Sequence, residues 1–74
     1  MEEKLIELLK LCRKAHSKKI EIELEYGLDS VEMYHFNKTG EADYKIVKHM
    51  SAKFALPYFE NQIDDIANYL KGLI

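Results

Sequence analysis

Seventy-four residues are enough for one small domain with a thin core, for which a net stability of roughly 3–5 kcal/mol is expected. A formal net charge of −2 excludes a global basic field for nucleic acid, and a single cysteine excludes an internal disulfide. The 47% hydrophobic content is that of a folding chain, yet no apolar run is long enough to span a bilayer.

From Glu2 to about Ser17 the residues Leu5, Leu8, Leu9, Cys12 and Ala15 recur at spacings of three and four, and Ile6 and Leu11 widen the apolar side. This period predicts an amphipathic helix. Glu2 and Glu3 at its start and Arg13, Lys14, Lys18 and Lys19 at its end complement the helix dipole. The opening MEEKLIELLKL lacks a small-residue cleavage site, so it reads as helix rather than secretory signal, and a reduced, cytoplasmic setting is the expectation.

The stretch IEIELEY, residues 20–26, alternates strictly. Ile20, Ile22, Leu24 and Tyr26 fall on one face, and Glu21, Glu23 and Glu25 on the other. A period of two over seven residues predicts a half-buried strand. The following GLDS reads as a turn, because Gly, Asp and Ser all favour one. A second strand is predicted over 31–37, with Val31, Met33 and His35 on one face and Glu32, Tyr34 and Phe36 on the other. Two registers compete. The favoured one pairs Leu24 with Tyr34 and Ile22 with Phe36 and turns the aromatics to the core. The other pairs Leu24 with Met33 and leaves the aromatics outside, beside the glutamates; a slip of one residue separates the two.

NKTGEAD reads as the next turn, with Asn37 and Gly40 able to take positive φ. A third strand is predicted over 44–49, with Tyr44 and Ile46 on the face of Tyr34 and with Val47 and His49 opposite. SAKFAL fits either a helical turn or an extended lead-in, and Pro57 suits a first helical turn. Phe59, Ile63, Ile66, Leu70 and Leu73 then repeat at four, three, four and three, which predicts a second helix over 57–71 with Gly72 as its terminator. Short connections make the strands an antiparallel meander, and one apolar face per element places both helices on the same side. The expected fold is α+β: a two-layer α-β-β-β-α domain over residues 1–74.

Charge is unevenly distributed. Residues 1–19 carry six Lys/Arg against three Glu, residues 20–50 three Lys against seven Asp/Glu, and residues 51–74 two Lys against three Asp/Glu. The acidity therefore gathers on the sheet. Carboxylates at alternate strand positions stand about 7 Å apart. Such a row either keeps a strand soluble or docks in an Arg/Lys-rich groove. Glu21, Glu23, Glu25, Asp29, Glu32 and Tyr34 are the candidate partner-binding residues, the last because Tyr is enriched at interfaces.

No catalytic, cofactor or metal set emerges. His16, His35 and His49 lie on three different elements, and Cys12 sits on the apolar stripe of the first helix as a packing residue. Glu23 and Glu25 share a face but have no pocket to separate their pKa values, so acid–base chemistry lacks a basis and no enzyme is expected.

The order α-β-β-β-α resembles that of double-stranded-RNA-binding domains. Those domains start their second helix with lysines for phosphate contact, whereas SAKFALPYFENQ offers Lys53 alone, so the likeness extends to topology only. The MEEKLIELLKL helix, acidic three-stranded meander and closing helix also resemble, in layout, a compact anti-CRISPR inhibitor family of phages and mobile elements. That resemblance implies DNA mimicry at the PAM-reading groove of a nuclease. This chain differs in being less acidic, with Lys45 and Lys48 on its third strand, and no motif transfers residue by residue.

The expected function is a non-enzymatic protein-binding module, an inhibitor of a host nucleic-acid enzyme, whose acidic sheet face meets a partner with a basic surface, such as a nuclease. No membrane and no cofactor is expected. One alternative is a self-associating structural or regulatory protein, a homodimer through an edge strand or the wide apolar side of the first helix. The other is a nucleic-acid binder using Arg13, Lys14, Lys18 and Lys19, a mode that the net charge disfavours.

Overall fold

A computed structural model describes residues 2–38 and 43–74. The periodic segment at the start forms helix α1, Glu2–Ser17. Its Leu8, Cys12 and Ala15 are buried, while Leu9, expected on the core stripe, is exposed. The helix ends in a Schellman motif. Lys19 takes the left-handed conformation at φ 62°, the Ile20 N–H donates to the Ala15 carbonyl at 3.0 Å, and the Lys19 N–H donates to the His16 carbonyl at 2.9 Å. That motif reverses the chain directly into the sheet.

Three strands follow: β1 (Glu21–Tyr26), β2 (Ser30–Lys38) and β3 (Tyr44–Lys53), antiparallel in the order β1-β2-β3. The β1–β2 turn closes through the Gly27 N–H, which donates to the Ser30 carbonyl at 2.8 Å. Leu24 stands opposite Met33 and Ile22 opposite His35. The register favoured from the sequence is thus displaced by one residue, and Tyr34 and Phe36 face outward. The physical reason lies under the helices: Val31 and Met33 fill the inner face completely buried, and a tyrosine there would need a hydrogen-bond partner in an apolar layer. His35, on the same face and partly buried, meets Tyr69 of the second helix, whose hydroxyl lies 2.8 Å from His35 Nδ1.

The third strand is longer than expected, taking in Ser51, Ala52 and Lys53, so SAK is extended chain. His35 pairs with Lys48 and Phe36 with Ile46, which leaves Val47 without a partner as a bulge. The extra residue inverts the phase along β3. Tyr44 and Ile46 share the face of Tyr34, as expected, but so does His49, which was expected opposite. Asn37 is a strand residue paired with Lys45 and has no positive φ, and the remaining expectation for the NKTGEAD turn lies outside the described residues.

The second helix, α2, spans Phe59–Leu73. Pro57 lies in the preceding turn rather than inside the helix, and Gly72 continues the helix rather than ending it. Phe59, Ile63, Ile66, Ala67 and Leu70 meet Leu8, Cys12 and Ala15 of α1 and Ile22, Val31, Met33 and Ala52 of the sheet in one core. These sheet residues all lie on one face, so both helices cover the same side: a two-layer α+β fold. Ion pairs tie the helices at their rims, Lys4 to Asp64 at 3.0 Å and Lys71 to Glu7 at 3.1 Å. Being largely exposed and screened by solvent, these pairs fix the helix rims more than they stabilise them.

Candidate functional site

The uncovered face of the sheet is ordered by its register. Glu23, Tyr34 and His49 form one cross-strand row; Glu25, Glu32 and Ser51 form the row on one side, and Glu21, Phe36 and Ile46 the row on the other. Read along the strands, the same lattice has a column of carboxylates on β1 and a column of rings at its centre. The Tyr34 ring stacks on His49 with centroids 4.5 Å apart and on Phe36 at 6.0 Å. His49 Nε2 lies 3.0 Å from Glu32 Oε1. Glu32 stands directly opposite Glu25, a like-charge pair that disfavours the sheet locally, and the His49 contact offsets it when the imidazole is protonated.

The rings are only partly covered. Tyr34 and Phe36 are half-buried, whereas Tyr44 and Ile46 are each 53% exposed. Partial desolvation raises the Tyr34 phenol above its usual range, and the Glu32, Glu25 and Glu23 carboxylates add to the rise. The hydroxyl therefore stays a proton donor throughout the physiological range. Glu21, Glu23, Phe36 and Tyr44 border an open depression of about 330 Å³. A cation lying there would meet carboxylate oxygens and ring faces together, the combination that favours an Arg or Lys side chain.

Five of the six residues singled out from the sequence come together here: Glu21, Glu23, Glu25, Glu32 and Tyr34. Asp29 does not. It belongs to the β1–β2 turn at the end of the sheet, where its carbonyl accepts the Phe54 N–H at 3.0 Å and fastens the segment after β3. The face also contains Phe36, His49, Ile46 and Tyr44, which the sequence reading left out of the candidate set. Their outward placement follows from the β1–β2 register and the Val47 bulge, and neither has a local sequence signature.

The histidines remain apart: His16 Nε2 lies 2.6 Å from the Ile22 carbonyl, His35 is under α2, and His49 is outside. Among the described residues no group of three or more His, Cys, Asp or Glu side chains could hold a metal ion. Cys12 is buried, and desolvation raises its thiol pKa, which is the opposite of an activated nucleophile. Among the described residues no helix is long and apolar enough to cross a membrane. No protein-family model matches the chain, and no curated protein and no solved structure matches it significantly.

Proposed function

We propose that this chain is a non-enzymatic protein-binding module whose outer sheet face docks on a basic surface of a partner. The observation that supports the reading is the column of Glu21, Glu23 and Glu25 alongside the stack of Phe36, Tyr34 and His49. Carboxylates speed and orient the encounter with Arg and Lys, and half-buried rings supply the apolar anchor that charge alone lacks. The narrower form of this reading is an inhibitor of a nucleic-acid enzyme, since such enzymes hold phosphates in grooves lined with Arg and Lys.

The test begins with a pull-down comparing wild type and Glu23→Lys/Glu25→Lys, followed by titration of the isolated partner. Reversal at Glu25 removes a like-charge pair with Glu32, so the variant is expected to fold. Its affinity should fall by more than about thirtyfold, and that of Tyr34→Ala by about tenfold. Wild-type binding should also weaken with added salt. A folded double variant with unchanged affinity would remove the acidic face from consideration.

A further inference from the structure

Among the described residues, one flank of α1 is left uncovered by the rest of the fold. Glu2, Ile6, Leu9 and Arg13 follow one another at spacings of four, three and four and so share a stripe along the helix. The neighbouring stripe of Leu8, Cys12 and Ala15 faces the core, and Lys4 and Glu7 on the far side pair with α2. Ile6 and Leu9 are 52% and 55% exposed, and both charged ends of the stripe are exposed as well. Beside it, Leu5, Ile6, Leu9, Leu24, Tyr26 and Val31 line an apolar depression of about 230 Å³.

We propose that this flank is the contact between two copies of this chain, their α1 helices antiparallel about a twofold axis between Ile6 and Leu9. Charge selects both occupant and orientation. In the antiparallel arrangement Glu2 meets the second copy's Arg13, Ile6 meets the second copy's Leu9, and symmetry repeats each contact. On the adjoining row Glu3 approaches the second copy's Lys10. Among the described residues, Glu2, Glu3, Lys10 and Arg13 form no ion pair within their own chain. A parallel arrangement would instead set Glu2 against Glu2 and Arg13 against Arg13. The helix dipole accounts for the sign of charge at each end but not for the apolar pair exposed between them.

Association through sheet edges is the less favourable route. Pairing β1 with its own copy would bring two columns of Glu21, Glu23 and Glu25 side by side, and β3 carries Lys45 and Lys48. The helical contact leaves the outer sheet face free, so it does not depend on the docking function proposed above.

A contact of one helix stripe is small, and a dissociation constant on the order of 100 μM is expected. Sedimentation equilibrium from about 10 μM to about 1 mM brackets that value. Ile6→Glu/Leu9→Glu should weaken association at least about tenfold with an unchanged circular dichroism spectrum. Glu2→Arg and Arg13→Glu, each alone, should weaken it about tenfold, while an equimolar mixture of these two variants should recover wild-type affinity as a heterodimer. The charge variants leave the apolar pair intact, so they test the orientation independently of it. A wild-type chain that stays monomeric to about 1 mM would overturn the proposal. So would association indifferent to the apolar variant, or a mixture no tighter than its components.

Discussion

Lys19 holds a backbone conformation that a lysine enters at a cost. Its φ of 62° lies in the left-handed region, where a Cβ crowds the following carbonyl at about 1–2 kcal/mol. Glycine escapes that crowding but loses about 0.5–1 kcal/mol more conformational entropy on folding. The first effect is the larger, so Lys19→Gly should stabilise the chain by about 0.5–1 kcal/mol, with a melting temperature about 2–8 °C higher. Thermal melts of the two proteins decide it. An unchanged or lower midpoint would mean that the lysine side chain contributes more than its backbone costs. The same position shows a limit of reading the sequence. A short link was legible at Ser17, Lys18 and Lys19, but a left-handed residue is usually announced by glycine, and here none is present.

At the scale of elements, stability rests on a few side chains shared between the layers. Ile66 and Met33 are fully buried, one on α2 and one on the central strand. Truncating Ile66 to alanine removes its burial and leaves a cavity between helix and sheet, at about 2–5 kcal/mol. Against a total of roughly 3–5 kcal/mol for a core of this size, Ile66→Ala should be largely unfolded at 37 °C by circular dichroism. A cooperative melt within a few degrees of wild type would show that the core collapses around the gap. The periodicities behind this packing were legible, which is why the order of two helices and three strands is the expected one, although β3 runs on to Lys53 and α2 begins only at Phe59. The relative phase of the strands was not. β2 offers apolar residues on both faces, Val31 and Met33 against Tyr34 and Phe36, so hydrophobicity alone leaves the register open. The Val47 bulge is equally silent, because valine is an ordinary strand residue. Hence the carboxylate column, which needs only the alternation of one strand, was legible. The ring stack, which needs the mutual register of two strands, was not.

For the whole molecule, the resolved titration shifts point one way. Burial raises the Cys12 thiol above its ordinary value of 9.0. Partial desolvation and neighbouring carboxylates raise Tyr34 above 10.0, and the Asp64 hydrogen bond raises Lys4 above 10.5. In each case the folded chain holds a proton that the unfolded chain releases at lower pH. Below about pH 9 both states bind these protons, and the stability associated with them is fully present. As pH rises further the unfolded state binds fewer protons than the folded state, so the slope of stability against pH is negative. Urea midpoints measured from roughly pH 7 to 11 should therefore be level at first and then fall, beginning with the thiol. Cys12→Ala lowers the whole curve by removing a buried sulfur, but it should also move the onset of the fall toward the tyrosine range. A wild-type midpoint that stays level to the alkaline limit would mean that Cys12 reaches solvent in the folded state, and the buried thiol would have to be abandoned.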